Sequence, residues 1–307
     1  VLNSIAIERQ IPSKGLNIQQ MSYALKAFGF GTRIYSENGY GSDFRKLYSC
    51  YVESGIPLVV ALDNTHTKGG NLGHAVLCVG YRNPEEHLID DLQANTISDP
   101  NSNLLQEINR KHISIFDWDD LDKEFVFVDD NHPSYRCARF SSPTSNYSEA
   151  NWKTCTIKNF VVPLYSKIYL EAYEAKKYVL NYLLFGQPLR DNSQVLIRFF
   201  LASSRSFKDS LALNESFDPA IKKIILTIPM PKFIWVAELG TKELFKQQLA
   251  DGLMILDATE ANIHANLLVV SVVQDVLSLF TMGARVPEKY SVSLPPFNSY
   301  RQNLKRF

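Results

Sequence analysis

The chain has 307 residues, of which 45% are hydrophobic and 21% charged, enough for an ample core and, by length, for two domains rather than one. Lys plus Arg and Asp plus Glu both number 32, so no net charge steers it toward nucleic acid or an anionic membrane. The longest aliphatic run, Leu267–Val273, has the length of a buried strand and falls far short of the roughly 20 residues that a membrane-spanning helix needs.

In chain order, Val1–Arg9 reads as neither a signal peptide nor a transit peptide. The absence of an initiator methionine points to processing or to residues upstream of Val1. A helix is expected to open at Asn17, which stands with Gln20 in a capping-box relation. Ile18, Met21, Leu25 and Phe28 then share one face, and Gly29 ends the helix. A short strand over Thr32–Tyr35 follows. A second helix, Ser42–Ser54, places Phe44, Leu47, Tyr48, Tyr51 and Val52 on one stripe. Gly55 and Pro57 stop it.

Three strands are expected next: Pro57–Leu62, Ala75–Tyr81 and Phe125–Val128, whose unbroken apolar runs predict burial on both faces. The polar stretch Asn83–Lys123 is too long for a plain loop and reads as an insertion with helix around Leu104–Asn109. Ser, Pro, Thr and Asn cluster over Ser141–Asn151, where a boundary is expected between a first domain, 1–150, and a second, 151–307. Beyond it, strands Thr156–Leu164, Leu196–Leu201, Ile224–Ile228, Phe233–Ala237, Leu253–Leu256 and Leu267–Val273 alternate with helices Ser166–Leu184, Ser206–Leu213 and Thr241–Ala250. This half is α/β or α+β by pattern.

The most specific string is Gly73-His74-Ala75-Val76-Leu77-Cys78-Val79-Gly80-Tyr81. A histidine at the mouth of a buried strand has a fixed backbone and an accessible imidazole, and its pKa lies near neutrality, so it can exchange a proton with a thiol or hydroxyl. The next strand ends in Asp129-Asp130-Asn131, which offers acceptors for the far ring nitrogen. Period-two alternation puts Asp129 and Asn131 on one face and Asp130 on the other. Asp129 is the favoured orienter, Asn131 the next, with Asp130 also in reach if the alternation fails past the strand end.

The histidine strand resembles that of papain-like cysteine peptidases, and the order of elements over residues 11–140 is similar to the bacterial C39-like branch. The resemblance implies an α+β, papain-like fold in which helices pack on an antiparallel sheet, followed by a second α/β-type region. It implies a thiol hydrolase of peptide or isopeptide-like amides, with His74 as general base and acid and Asp129 or Asn131 orienting it. A catalytically dead module that holds a peptide or protein partner is the alternative. The family's nucleophilic cysteine opens a helix before all of these elements, so it is expected upstream of Val1.

None of Cys50, Cys78, Cys137 and Cys155 stands at that position, and none forms a zinc-ligand spacing with a histidine. No metal, cofactor or nucleic-acid partner is expected. So few thiols in a chain this long fit a reducing, cytoplasmic-type compartment better than a disulfide scaffold. The loop Asp63-Asn64-Thr65-His66 with Gly69-Gly70 lacks the spacing of a P-loop or an EF-hand and reads as a loop beside the cleft. Glu238 and Asp257, at the ends of apolar strands, read as surface or turn residues.

Overall fold

A computed structural model describes residues 16–65, 73–95, 106, 108, 109, 111–130, 132, 135–186, 189–262, 266–280 and 288–300. Its eight described helices and its antiparallel and mixed sheets make the architecture mixed α/β. The chain divides into two units. Unit 1 comprises Val1–Pro84, Asp122–Ile168 and Gln302–Phe307; unit 2 comprises Glu85–Leu121 and Tyr169–Arg301. The expected division at residue 150 is therefore displaced. The strand just past the expected linker completes the first sheet, and most of the expected insertion belongs to unit 2.

Unit 1 opens with α1 (Ile18–Ala27), whose capping box forms as expected, Gln20 N bonding Asn17 Oδ1 at 2.9 Å and Asn17 N bonding Gln20 Oε1 at 3.0 Å. Phe28 lies just past the helix and is exposed, so only Ile18, Met21 and Leu25 of the expected stripe are half-buried. Gly29 takes φ +90°, a conformation that a side chain would strain. After β1 (Phe30–Ser36) and a single turn, α2 (Glu37–Tyr40), comes α3 (Asp43–Glu53). All five residues of its expected stripe are buried, and so is Cys50.

Next come β2 (Leu58–Asp63) and β3 (Gly73–Tyr81). The chain then supplies α4 (Glu86–Asp90) and β4 (Ser114–Asp117) to unit 2 before returning. Gln106, Ile108 and Asn109 are helical, within the stretch where helix is expected. Strands β5 (Glu124–Val128), β6 (Arg136–Arg139) and β7 (Thr156–Tyr165) finish a six-stranded antiparallel sheet in the order β1-β7-β2-β3-β5-β6. One face of this sheet takes α3: Tyr48 meets Phe125 and Phe160 edge-on, and Tyr35 hydroxyl lies 2.7 Å from Tyr51 hydroxyl. The other face is not fully covered in unit 1. Burial alternates along β2, and Leu77 on β3 is exposed, where both-face burial was expected.

Unit 2 continues with α5 (Ala172–Asn181), extended by a π turn over Tyr182–Gly186, then β8 (Gln194–Ser203), α6 (Ser204–Ala212) and α7 (Pro219–Thr227). Strand β9 (Phe233–Gly240), α8 (Lys242–Lys246), β10 (Leu249–Ala250), β11 (Gly252–Asp257) and β12 (Leu268–Val273) come next. The hairpin partner β13 (Val276–Leu279), then β14 (Glu288–Ser291) and β15 (Phe297–Asn298), end the described chain. The seven-stranded sheet runs β14-β13-β12-β11-β9-β8-β4, antiparallel except for the parallel pair β4–β8. Helix α7 replaces the strand expected over Ile224–Ile228. Asp218 caps it by accepting from Ala220 N and Ile221 N at 3.0 and 2.9 Å, and Pro219 occupies the first turn, where its missing N–H costs nothing. Asp218→Ala is expected to lose about 1 kcal/mol of unit 2 stability in chemical denaturation, with a native-like far-ultraviolet spectrum.

Glu238 is not the surface residue expected. It is buried on β9 opposite Arg198 on β8, whose Nη1 bonds it at 2.8 Å, and it accepts from Tyr300 N at 2.5 Å. Asp257 does what was expected of it, closing a turn by accepting from Thr259 N at 2.7 Å. Among the described residues no helix is long and apolar enough to cross a membrane.

Candidate active site

The histidine strand β3 pairs with β5 with Leu77 opposite Val128. One more step in this antiparallel register sets Asp129 across from Val76, which shares a sheet face with His74. Asp129 is thus a diagonal neighbour of His74 on that face, within reach of its ring. The imidazole Nε2 lies 2.8 Å from Asp129 Oδ1, with the imidazole half-buried and the carboxylate side chain only 1% exposed. That burial keeps water from competing for the carboxylate. Asp130 points to solvent, its Oδ1 4.0 Å from the same nitrogen. Asn131 lies outside the described residues, as do His66, Gly69 and Gly70. What is described of the loop after β2 is a turn in which Asp63 Oδ1 accepts from Thr65 N at 2.6 Å.

The stretch expected to be a linker instead folds over the dyad. Turns follow one another from Ser142 to Cys155. They are pinned by Asn146 Nδ2 to Cys137 O at 2.9 Å and by the buried Asn64, whose Nδ2 donates to Asn151 O at 3.0 Å. Two aromatic residues of this segment reach the site. Trp152 meets the His74 ring edge-on at 5.2 Å between centroids. Tyr147, 4% exposed, donates its hydroxyl to Asp129 Oδ2. Its ring lies 3.9 Å from that of His132 and beneath the Arg136 guanidinium, 3.8 Å away. Burial first, then the bond to the Asp129 carboxylate and that group's charge, push the Tyr147 hydroxyl pKa well up, against a smaller opposing effect of Arg136. Tyr147 is thus a hydrogen-bond donor across the neutral range. Neither Tyr147 nor Trp152 belongs to a motif legible in sequence. The only signal was the cluster of turn-forming residues Ser141–Asn151, with Tyr147 inside it and Trp152 just past its end.

Three of the four cysteines, Cys50, Cys78 and Cys155, are buried. Cys50 and Cys78 are fully buried. Cys78 Sγ contacts Gly80 O at 3.7 Å, and burial pushes its thiol pKa up to about 12. Burial, with a contribution from the charge of Asp63, raises that of Cys155 as well. A thiol is a nucleophile only as the thiolate, so both shifts work against reactivity. Cys137 sits on β6 opposite Val126.

Potential ligand atoms of His74, Asp129 and Asp130 lie within 4.8 Å of one another, the one described cluster that could hold a metal ion. An ion there would compete with hydrogen bonds already made to both oxygens of Asp129. Compared with protein-family models, curated proteins and solved structures, the chain finds no match.

Proposed function

We propose that unit 1 is the base-and-orienter part of a papain-like thiol hydrolase acting on peptide or isopeptide-like amide bonds. One observation carries this reading: a half-buried imidazole, 15% exposed, bonded at 2.8 Å to a buried carboxylate, the two delivered by the ends of adjacent antiparallel strands. The carboxylate accepts Nε2–H, fixes the tautomer and favours the imidazolium. Nδ1 is then the nitrogen for proton exchange. It takes the proton of a thiol, and the thiolate attacks the amide carbon. The imidazolium returns that proton to the departing amine as the C–N bond breaks, and water hydrolyses the thioester. In the family that the histidine strand resembles, such a thiol opens a helix that precedes these elements.

The second reading is a peptide-binding module on the same fold. It is favoured by the burial of Cys50, Cys78 and Cys155, which works against any of them acting as a nucleophile. The two readings separate in the full-length protein. His74→Ala is expected to lower amide hydrolysis, and labelling by thiol-directed amide probes, by at least about 10²-fold. Undiminished activity in this variant would remove His74 from the chemistry. Peptide binding without turnover, unaffected by the substitution, would leave the module.

A further inference from the structure

We infer that Tyr147 is a positioning residue that sets the rotation and the charge distribution of Asp129, so that a single carboxylate oxygen faces His74. The inference rests on the thiol-hydrolase reading for its consequence in catalysis, but not for the geometry. The two oxygens of Asp129 are divided: Oδ1 lies against the imidazole, and Oδ2 accepts from the Tyr147 hydroxyl. A carboxylate held at one oxygen only can swing about its terminal torsion, which is broad and roughly two-fold. Held at both, it presents Oδ1 to Nε2 in one orientation.

The tyrosine is itself fixed. Its ring is buried beneath the Arg136 guanidinium and against His132, with Trp152 stacked 5.8 Å away at 26°. Its backbone N–H closes a turn onto Thr144 O at 3.0 Å. Among the described residues, the charged and titratable groups around the pair include Arg136 and His132 at the ring, Asp130 beside the imidazole, and Cys155 within electrostatic reach of Tyr147. Glu149 lies within reach of His132 and Arg136. Of these groups, Tyr147 is the one bonded to the oxygen that the imidazole does not use.

Donation from Tyr147 draws negative charge away from Oδ1. Removing it leaves the imidazolium as the stronger partner of the carboxylate, so the protonated form of His74 gains. In Tyr147→Phe the ring stays under Arg136 and only the hydroxyl is lost. The expected result, read by NMR titration of the His74 ring protons, is an upward shift of about one pH unit relative to the unaltered protein. Amide turnover should fall about tenfold in kcat with KM little changed. A titration curve that overlays that of the unaltered protein overturns the inference, whatever the activity. If the curve shifts while His74→Ala leaves hydrolysis untouched, Tyr147 positions the dyad and the hydrolase reading alone fails. Should Tyr147→Phe not fold, the unaltered protein still decides. A slowly exchanging, downfield Tyr147 hydroxyl proton that moves as His74 titrates supports the inference, and its absence overturns it.

Discussion

Lys123→Met is expected to destabilise unit 1 by about 3–5 kcal/mol, a large share of what a domain of this size possesses. Lys123 precedes β5, the strand that delivers Asp129, and its side chain, like that of Glu53 on α3, is 0% exposed. Its ammonium donates to Glu53 Oε2 at 3.3 Å and Ser49 Oγ at 3.0 Å, and lies 4.9 Å from the centre of the Tyr81 ring. Removing the cation takes the ion-pair partner from a fully buried carboxylate, which costs far more than the intact pair contributes. The double variant Lys123→Met/Glu53→Leu removes both charges and fills the space with apolar atoms. It should recover to within about 1–2 kcal/mol of the parent or exceed it. Ser49 loses its partner in either variant, and a helical serine can turn its hydroxyl to a carbonyl one turn back. Chemical denaturation of the two variants checks this. Equal losses in single and double variants would show that packing, not the stranded charge, sets the cost.

This pair also marks where the sequence stops being legible. Periodicity located α3 through Phe44, Leu47 and Tyr51, and an unbroken apolar run located β5 through Phe125 and Phe127, all of them buried. Neither could show that a glutamate and a lysine 70 positions apart form one buried pair, since nothing local distinguishes them from surface charges. The same holds for Arg198 and Glu238, whose pairing is a matter of register between β8 and β9. His74 and Asp129 were legible because one stands at the start of a strand and the other just past the end of the next strand of the sheet, and consecutive strands of a sheet are usually neighbours in space. The division into units was not. A cluster of Ser, Pro, Thr and Asn specifies turns, and turns serve equally in a linker and in a segment folded over a site. The error over Ile224–Ile228 is of another kind. Aliphatic runs do not separate strand from helix, and the deciding signal, Asp218-Pro219 at the helix start, stood several residues upstream.

Asp129→Ala is expected to lower amide turnover by roughly 10³–10⁴-fold, while Asp130→Asn stays within about twofold of the parent. The contrast follows from burial and distance. Asp129 is 1% exposed and 2.8 Å from Nε2, so its charge acts on the imidazole with little screening by water. Asp130 is 87% exposed and 4.0 Å away, where solvent takes most of its effect. Asp129→Asn should fall between them. An amide oxygen can still accept Nε2–H and hold the tautomer, but it carries no charge to stabilise the imidazolium. Its NH₂ would then face Tyr147, whose hydroxyl must turn from donor to acceptor. Turnover of a peptide amide probe by the three full-length variants gives the order Asp130→Asn, Asp129→Asn, Asp129→Ala from fastest to slowest. An equal loss in Asp130→Asn and Asp129→Ala would mean that the imidazole responds to the acidic strand end as a whole. Removing the bond at 2.8 Å would then be no worse than removing the exposed charge beside it, and the dyad would lose its claim to the chemistry.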